Sequence, residues 1–163
     1  MHLLAQEEYG LRCILQVARS GGDAPLTIPQ ISEAEGLSTE YTAKLMRTLR
    51  QGGLLTSTRG AGGGYHLARP ADEITVWDVL QVLGGSFFPD GFCDSHPGQL
   101  RDCVRTTDCS VRALWQRVET AVRGILGSVT LADLQRREPD LAVLLTLREG
   151  ALAQGSPTPR EGS

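Results

Sequence analysis

The sequence lacks the features that mark several classes of protein. None of its 163 residues falls in an apolar run of about 18, which argues against a transmembrane helix. The first eight residues have no basic segment followed by an apolar stretch, so we expect no signal peptide, no membrane association and a cytoplasmic location. Hydrophobic residues make up 40% and charged residues 21%, a balance typical of a folded domain rather than a disordered chain.

Signatures of common enzyme classes are also missing. There is no Cys-x2-Cys pair, no Ser-His-Asp grouping, and only three histidines. The glycine-rich run 60–64 does not match a phosphate-binding loop, because no Lys-Ser/Thr pair follows it and the next segment reads as a strand. We therefore do not expect an enzyme, and a thiol oxidoreductase is the least favoured of the functions considered.

The net charge of −3 conceals one basic segment. Between residues 39 and 69 there are five basic side chains and a single acidic one, Glu40. A phosphate backbone responds to the charge nearest to it rather than to the total charge of the protein. This segment is therefore the candidate for contact with nucleic acid.

The first 85 residues have the pattern of a winged helix-turn-helix domain. Apolar periodicity predicts a helix over 5–20, a second from the Thr27 cap to Glu35, and a third that begins at the Ser38 cap. Gly36 separates the last two, as in helix-turn-helix motifs. Strands at 54–58 and 65–68 flank the glycine run and predict a two-stranded wing. A further helix is expected from Thr75 to Leu83.

The second half of the chain predicts a loop followed by a long helix. Residues 86–108 show no periodicity, and loops of that length usually carry function. Apolar residues recur at helical spacing from Val111 to Val129, in a stripe too long for a small domain to cover, so we expect an isologous homodimer. Short helices over 131–137 and 141–152 and a disordered tail over 154–163 complete the prediction.

The expected fold class is mainly α with a small β-wing. It comprises a winged helix-turn-helix DNA-binding domain (1–85), a cysteine-bearing loop (86–109), a dimerisation helix with a short helix after it (110–137), and a C-terminal extension (138–163).

Three of the four cysteines, Cys93, Cys103 and Cys109, lie within seventeen residues. Their gaps of nine and five residues differ from the Cys-x2–4-Cys pairs of zinc sites. Widely spaced thiolates suit an iron–sulfur cluster, whose irons are reached from different directions. Spacing alone favours a cluster and leaves open zinc and incidental or redox-active thiols. Cys13 lies on the buried side of the first helix and is expected to be a core residue.

Several stretches resemble the family of winged-helix, iron–sulfur-sensing bacterial regulators that includes the IscR and NsrR repressors. The resemblance covers roughly residues 1–137 and rests on Ile31-Ser32-Glu33, Gly36-Leu37-Ser38 with Tyr41, Leu49-Arg50-Gln51-Gly52-Gly53-Leu54, the wing run from Arg59 to Ala68, Ala113-Leu114-Trp115, and Val129-Thr130-Leu131-Ala132-Asp133-Leu134. It implies a homodimer that represses transcription from a palindromic double-stranded DNA operator. It also implies that Cys93, Cys103 and Cys109 bind one cluster per subunit.

The resemblance implies a fourth cluster ligand as well. IscR-like members have a histidine three residues after the last cysteine, where this chain has Arg112. NsrR-like members use an acidic residue on the first helix of the other subunit, and Glu8 from the partner subunit stands at that position. A related redox sensor adds a histidine where this chain has Arg12, which disfavours a site of two cysteines, a glutamate and a histidine. His96 is the reserve ligand, and a 4Fe-4S cluster is favoured over 2Fe-2S.

The resemblance places DNA contacts on the start of the third helix and on the wing. N-terminal residues of a recognition helix reach base edges in the major groove, and an arginine suits a narrow minor groove. IscR-like members have an acid where this chain has Ala43, so we expect a different sequence preference. The expected contact residues are Ser38, Glu40, Tyr41, Ala43 and Lys44 on the helix, and Arg59, Gly60 and Gly63 on the wing.

Two functions follow from these observations. The leading hypothesis is a transcriptional regulator whose cluster senses nitric oxide, redox state or iron–sulfur supply. The alternative is a winged-helix regulator whose metal site is degenerate and which responds to another effector. The long gap between Cys93 and Cys103, longer than is usual in the family, keeps that alternative open.

Overall fold

A computed structural model describes residues 4–21, 24–60, 62–85, 88, 91–96, 98–105 and 107–154, without the side chains of 149 and 151–154. The described part of the chain is mainly helical with one small sheet. Its elements are, in order, α1 (Ala5–Arg19), α2 (Ile28–Glu35), α3 (Thr39–Gln51), β1 (Leu55–Thr58), β2 (Gly64–Leu67), α4 (Val76–Leu83), α5 (Phe92–Ser95), α6 (Ser110–Gly127), a 3-10 turn (Asp133–Gln135) and α7 (Glu138–Gln154).

Local capping produces the helix-turn-helix, as predicted. Thr27 caps α2, and its backbone amide donates to the Gln30 side chain at 2.9 Å. Gly36 ends α2 with a φ of +66°, a left-handed conformation that glycine adopts without steric cost. The Ser38 hydroxyl then accepts from the Tyr41 amide at 3.2 Å and begins α3.

The core forms around α1, which contacts α2, α3, α4 and β2. Cys13 is fully buried in this core, which confirms its predicted role. Burial raises the pKa of the Cys13 thiol to about 11, because the thiolate would have to leave water. The side chains with no exposed surface, besides Cys13, include Ile14, Ile31, Met46, Leu49, Ile74, Val79 and Leu131.

The predicted wing is present and is anchored on both sides. β1 and β2 pair antiparallel, with Leu55 opposite Leu67 and Thr58 opposite Gly64. Tyr65 of β2 also exchanges two backbone hydrogen bonds with Leu26, at 2.8 and 3.1 Å. The base of the wing is therefore joined to the chain that leads into α2.

A second short pairing joins the end of α6 to the start of α4. The Val76 amide donates to the Val129 carbonyl at 2.8 Å, and the Leu131 amide donates to the Ile74 carbonyl at 2.9 Å. α6 itself contains no buried residue. Its attachment to the winged domain therefore depends on this pairing and on its contact with α4.

Three predictions about the second half were inaccurate. The segment predicted as a plain loop contains α5, a single helical turn. The predicted helix 131–137 is only a 3-10 turn, because the Asp133 carboxylate accepts from the amide and hydroxyl of Thr130 and closes a local cap instead. α7 begins three residues earlier than expected, because Pro139 has a backbone angle suited to a first helical turn.

The predicted disordered tail lies, beyond residue 154, outside the described residues. Within the described residues, no helix combines the length and apolarity needed to cross a bilayer.

Candidate DNA interface and cysteine cleft

The exposed face of α3 brings the predicted helix contacts together. Its residues surround one shallow concavity, here called the reading face, lined by Ser38, Glu40, Tyr41, Ala43, Lys44 and Arg47. Arg47 was not among the contacts expected from the sequence. Its spacing, three residues after Lys44 and four after Ala43, is the signal that places it on the same helical face.

The wing tip depends on glycine at two positions. Gly60 has a φ of +106°, and its carbonyl accepts from the Gly63 amide at 2.9 Å to close the turn. A Cβ on Gly63 would lie 2.5 Å from the Thr58 carbonyl oxygen, which is backbone and cannot move aside. Arg59 is exposed beside this turn and, within the described chain, has no ion pair or side-chain hydrogen bond. None of the predicted wing contacts is among the residues that line the reading face.

α1 supports the helix-turn-helix through residues that the sequence analysis did not assign to DNA binding. The Tyr9 ring meets the Tyr41 ring edge-on, with centroids 6.2 Å apart. Arg12 lies over Tyr9 and pairs with the Glu35 carboxylate at 2.6 Å, and that carboxylate also accepts from Gln16. The hydrogen bond that Arg12 donates to the Glu35 carboxylate raises the pKa of Arg12. Arg12 thus connects α1 to α2.

Two of the three predicted thiol ligands line one depression, here called the cysteine cleft. Its described lining consists of Cys93, Asp94, Arg101, Asp102, Cys103, Arg105 and Arg112. Cys109 caps α6, and its Sγ accepts from the Arg112 amide at 3.3 Å. Cys109 is not among the lining residues, and this hydrogen bond joins it to one of them. All three thiols are free and partly exposed.

Neither candidate fourth ligand is among the described residues that line this cleft within one subunit. Glu8 is exposed on the first turns of α1. His96 stacks on Phe92 with centroids 4.1 Å apart, and its Nδ1 lies 2.9 Å from the Phe92 carbonyl oxygen. Across the described ranges, no group of three or more His, Cys, Asp or Glu side chains is already arranged to hold a metal ion. Thiols are the donors that an iron–sulfur cluster takes, so the chemistry of the three cysteines fits that group, although within one subunit the described side chains do not gather into a ligand set.

α6 exposes the apolar stripe that the sequence predicted. Leu114 is 56% exposed and Val111 57% exposed, and the stripe also includes Trp115 and Ile125. Arg123 of the same helix lies over the Trp77 ring of α4 at 6.0 Å. The helix therefore contacts α4 of its own domain and leaves part of its apolar stripe exposed to solvent.

Sequence comparisons identify relatives along most of the chain. A family model described as "Rrf2: Iron-dependent Transcriptional regulator" matches residues 3–137. The protein rrf2 of Nitratidesulfovibrio vulgaris is 38% identical over 136 residues, which cover 83% of this chain and 88% of that protein. α7 begins where the matched segment ends.

Two solved structures share the architecture. The global cysteine regulator CymR of Bacillus subtilis superposes with a TM-score of 0.66 at 32% identity, over 82% of this chain and 95% of its own. The IscR of T. potens superposes with a TM-score of 0.64 at 30% identity, over 97% of this chain and 94% of its own. Both comparisons support a winged-helix regulator fold.

Proposed function

The chain belongs to the Rrf2 family of transcriptional regulators, and from this premise we propose that it is a cytoplasmic repressor whose hold on DNA depends on an iron–sulfur cluster. Its relatives are regulators of transcription, and it is not an enzyme. One observation carries the proposal. Cys93 and Cys103 line one cleft together with Arg112, and the Arg112 amide donates to Cys109 Sγ, so two of the three free thiols share a cleft and the third is hydrogen-bonded to a residue of its lining.

The winged domain supplies the DNA contacts in this proposal. The reading face of α3 enters the major groove, where Ser38, Glu40, Tyr41, Ala43 and Lys44 meet base edges and phosphates. Arg59 reaches the minor groove, while the turn of Gly60 and Gly63 lets the wing approach the backbone closely. Two domains related by a two-fold axis read a palindromic operator.

The cluster ligands are Cys93, Cys103 and Cys109 of one subunit and Glu8 of the partner subunit. A 4Fe-4S cluster is favoured over 2Fe-2S, and when bound it supplies a centre that reacts with nitric oxide or changes redox state. Glu8 suits the role of fourth ligand because its side chain is exposed. Arg12, one turn later on α1, already pairs with the Glu35 carboxylate. A carboxylate is a hard ligand among soft thiolates, so Glu8 would be the most labile ligand of the set.

The chain connects these ligands to the DNA-binding surface by two routes. Cys109 is the cap of α6, so the position of its sulfur affects the first turn of the dimerisation helix. Glu8 belongs to α1, which also carries Tyr9 against Tyr41 on the reading face. A change of ligation alters the relative position of two recognition helices, and a shift of a few kcal/mol between two arrangements is enough to change operator occupancy.

The proposal is tested by anaerobic purification and mass spectrometry under non-denaturing conditions. We expect brown wild-type protein whose mass includes iron and sulfide, and a Cys93→Ser/Cys103→Ser/Cys109→Ser variant without them. Glu8→Ala should lose or destabilise the cluster, while the matched variant Glu7→Ala should retain it. Colourless wild-type protein with full DNA binding, or a triple variant that regulates as the parent does, would refute the proposal that a cluster controls DNA binding.

A second candidate function has its own support. The structure shows no converging set of donors among the described residues, and CymR, a cysteine regulator, superposes well. On this alternative the metal site is degenerate and another effector controls the same winged domain. Added iron and sulfide would then leave DNA binding unchanged.

The homodimer is tested at α6. Leu114→Glu changes an exposed residue, so in a monomer it should alter stability by no more than about 0.5 kcal/mol. In the proposed dimer the glutamate would be buried against the partner, and sedimentation should show monomers. Leu100→Glu is the matched control, because Leu100 is 59% exposed and lies outside the stripe. Dimers that persist in Leu114→Glu would contradict this interface.

A further inference from the structure

Three charged side chains of the reading face have no partner within the described chain. Glu40, Lys44 and Arg47 form no ion pair and no side-chain hydrogen bond, whereas five other arginines of the protein are paired with carboxylates. Glu40 and Lys44 are four residues apart in the order that normally favours pairing on a helix. Because Glu40 and Lys44 do not pair with each other, both charged groups are available to a ligand.

The carboxylate is the unusual member of this set. Glu40 is exposed on the first turn of the helix that meets DNA, in the segment whose other charges are positive. A carboxylate is repelled by phosphates and by the acceptor atoms of guanine and thymine. It is tolerated at a base edge only where it meets a donor, and an acidic side chain in the major groove typically accepts from the N4 amino group of cytosine.

We propose that Glu40 reads a cytosine in each half-site of the operator. This inference rests on the proposed DNA-binding function and adds the base that one residue selects. The Ser38 hydroxyl accepts from the Tyr41 amide and fixes the first turn of α3, and Glu40 of that turn lines the concavity that would face the groove. Ala43 carries no acceptor at the neighbouring position, so the acidic determinant of this chain is Glu40.

The alternative explanation is that Glu40 only stabilises α3, because a negative charge at a helix N-terminus interacts favourably with the helix dipole. That role predicts a change in thermal stability on substitution and no change in the bases selected. The two explanations therefore differ in a readout that does not depend on protein stability.

The test is selection of duplexes from a randomised pool by the full chain, its Glu40→Gln variant and its Glu33→Gln variant. Glu33 is an exposed acid on the neighbouring α2, so its substitution removes the same charge and controls for general phosphate affinity. Wild type and Glu33→Gln should enrich one cytosine per half-site, and replacing it by thymine should weaken their binding about tenfold. For Glu40→Gln that ratio should fall to about one, or the preference should move to adenine, which glutamine reads.

The possible failures are distinguishable. If wild type and Glu40→Gln select the same bases with the same ratios, the cytosine role of Glu40 is wrong while the DNA-binding function stands. If wild type, with or without its cluster, enriches no duplex, the proposed function fails and this inference fails with it. Circular dichroism melts of the three proteins verify that each is folded.

Discussion

Arg148 attaches the C-terminal helix α7 to the rest of the protein. Its Nη1 lies 2.8 Å from the Asp133 carboxylate and also donates to the Ser128 carbonyl. The Asp133 side chain is only 8% exposed, and Arg148 is 34% exposed. The first prediction is that Arg148→Met destabilises the protein by removing these bonds.

The expected magnitude lies between two limits. Breaking a fully buried ion pair costs about 3–5 kcal/mol, and an exposed pair contributes about 0–1 kcal/mol. Asp133 retains two bonds from Thr130, and Arg148 is partly hydrated, so we expect a loss of about 2 kcal/mol. For a chain of this length that corresponds to a fall in Tm of about 4–8 °C.

The loss should depend on pH in a defined direction. Burial by itself raises the pKa of Asp133, but the hydrogen bonds from Arg148 and Thr130 outweigh it, so the pKa lies below its usual value. A group with a depressed pKa stabilises the folded state above its unfolded pKa of about 4, and that contribution disappears as the pH falls through the folded value. The penalty of Arg148→Met should therefore be full at pH 7 and shrink below about pH 4.

Urea unfolding of wild type and Arg148→Met at pH 7 and below about pH 4 tests this prediction. Arg137→Met is the matched control, because Arg137 pairs with Asp140 at 3.2 Å but its side chain is 81% exposed. The control should change stability by no more than about 0.5 kcal/mol. Equal midpoints for wild type and Arg148→Met at pH 7, or a penalty unchanged at low pH, would refute the reasoning.

Three further predictions concern the wing and the core. Arg59→Ala should weaken operator binding by about 1–3 kcal/mol in a gel shift, since it removes the minor-groove cation, and unchanged binding would refute that role. Gly63→Ala should cost about 1–3 kcal/mol of stability because its Cβ meets the Thr58 carbonyl, whereas Gly62→Ala, with open space around it, should be tolerated. Cys13 should resist alkylation at pH 8 until the protein unfolds, because it is buried with a pKa of about 11; rapid labelling of the native protein would contradict this.

The winged domain was predictable because its signals are local. The Thr27 cap with Gln30, the left-handed Gly36 and the Ser38 cap each act within four residues, so they are readable from the sequence. The glycine run likewise predicts a tight turn between two strands. The anchoring of the wing was not predictable, because the pairing of Leu26 with Tyr65 joins residues that no periodicity relates.

The candidate sites were predictable in part for the same reason. Helical spacing predicts Glu40 and Lys44 on one face, and in the structure they line a concavity together with Arg47, which was not among the predicted contacts. The arginines of the cysteine cleft follow no pattern, and the structure is needed to place Arg101 and Arg112 in its lining. The roles of all these residues stay predictions.

The proposed cluster site would join α1, which packs in the core, to α6, which has no buried residue. α1 carries Glu8 and is fixed in the core by Cys13 and its buried neighbours, so it moves with the recognition helix. α6 begins at Cys109, contains no buried residue, and is held by its contact with α4 and by the pairing near Val129. A ligand set that takes thiolates from one subunit and a carboxylate from the α1 of its partner would therefore connect this surface helix to the core of the other subunit. In the proposed dimer, loss of the carboxylate bond would release that connection and change the spacing of the two recognition helices.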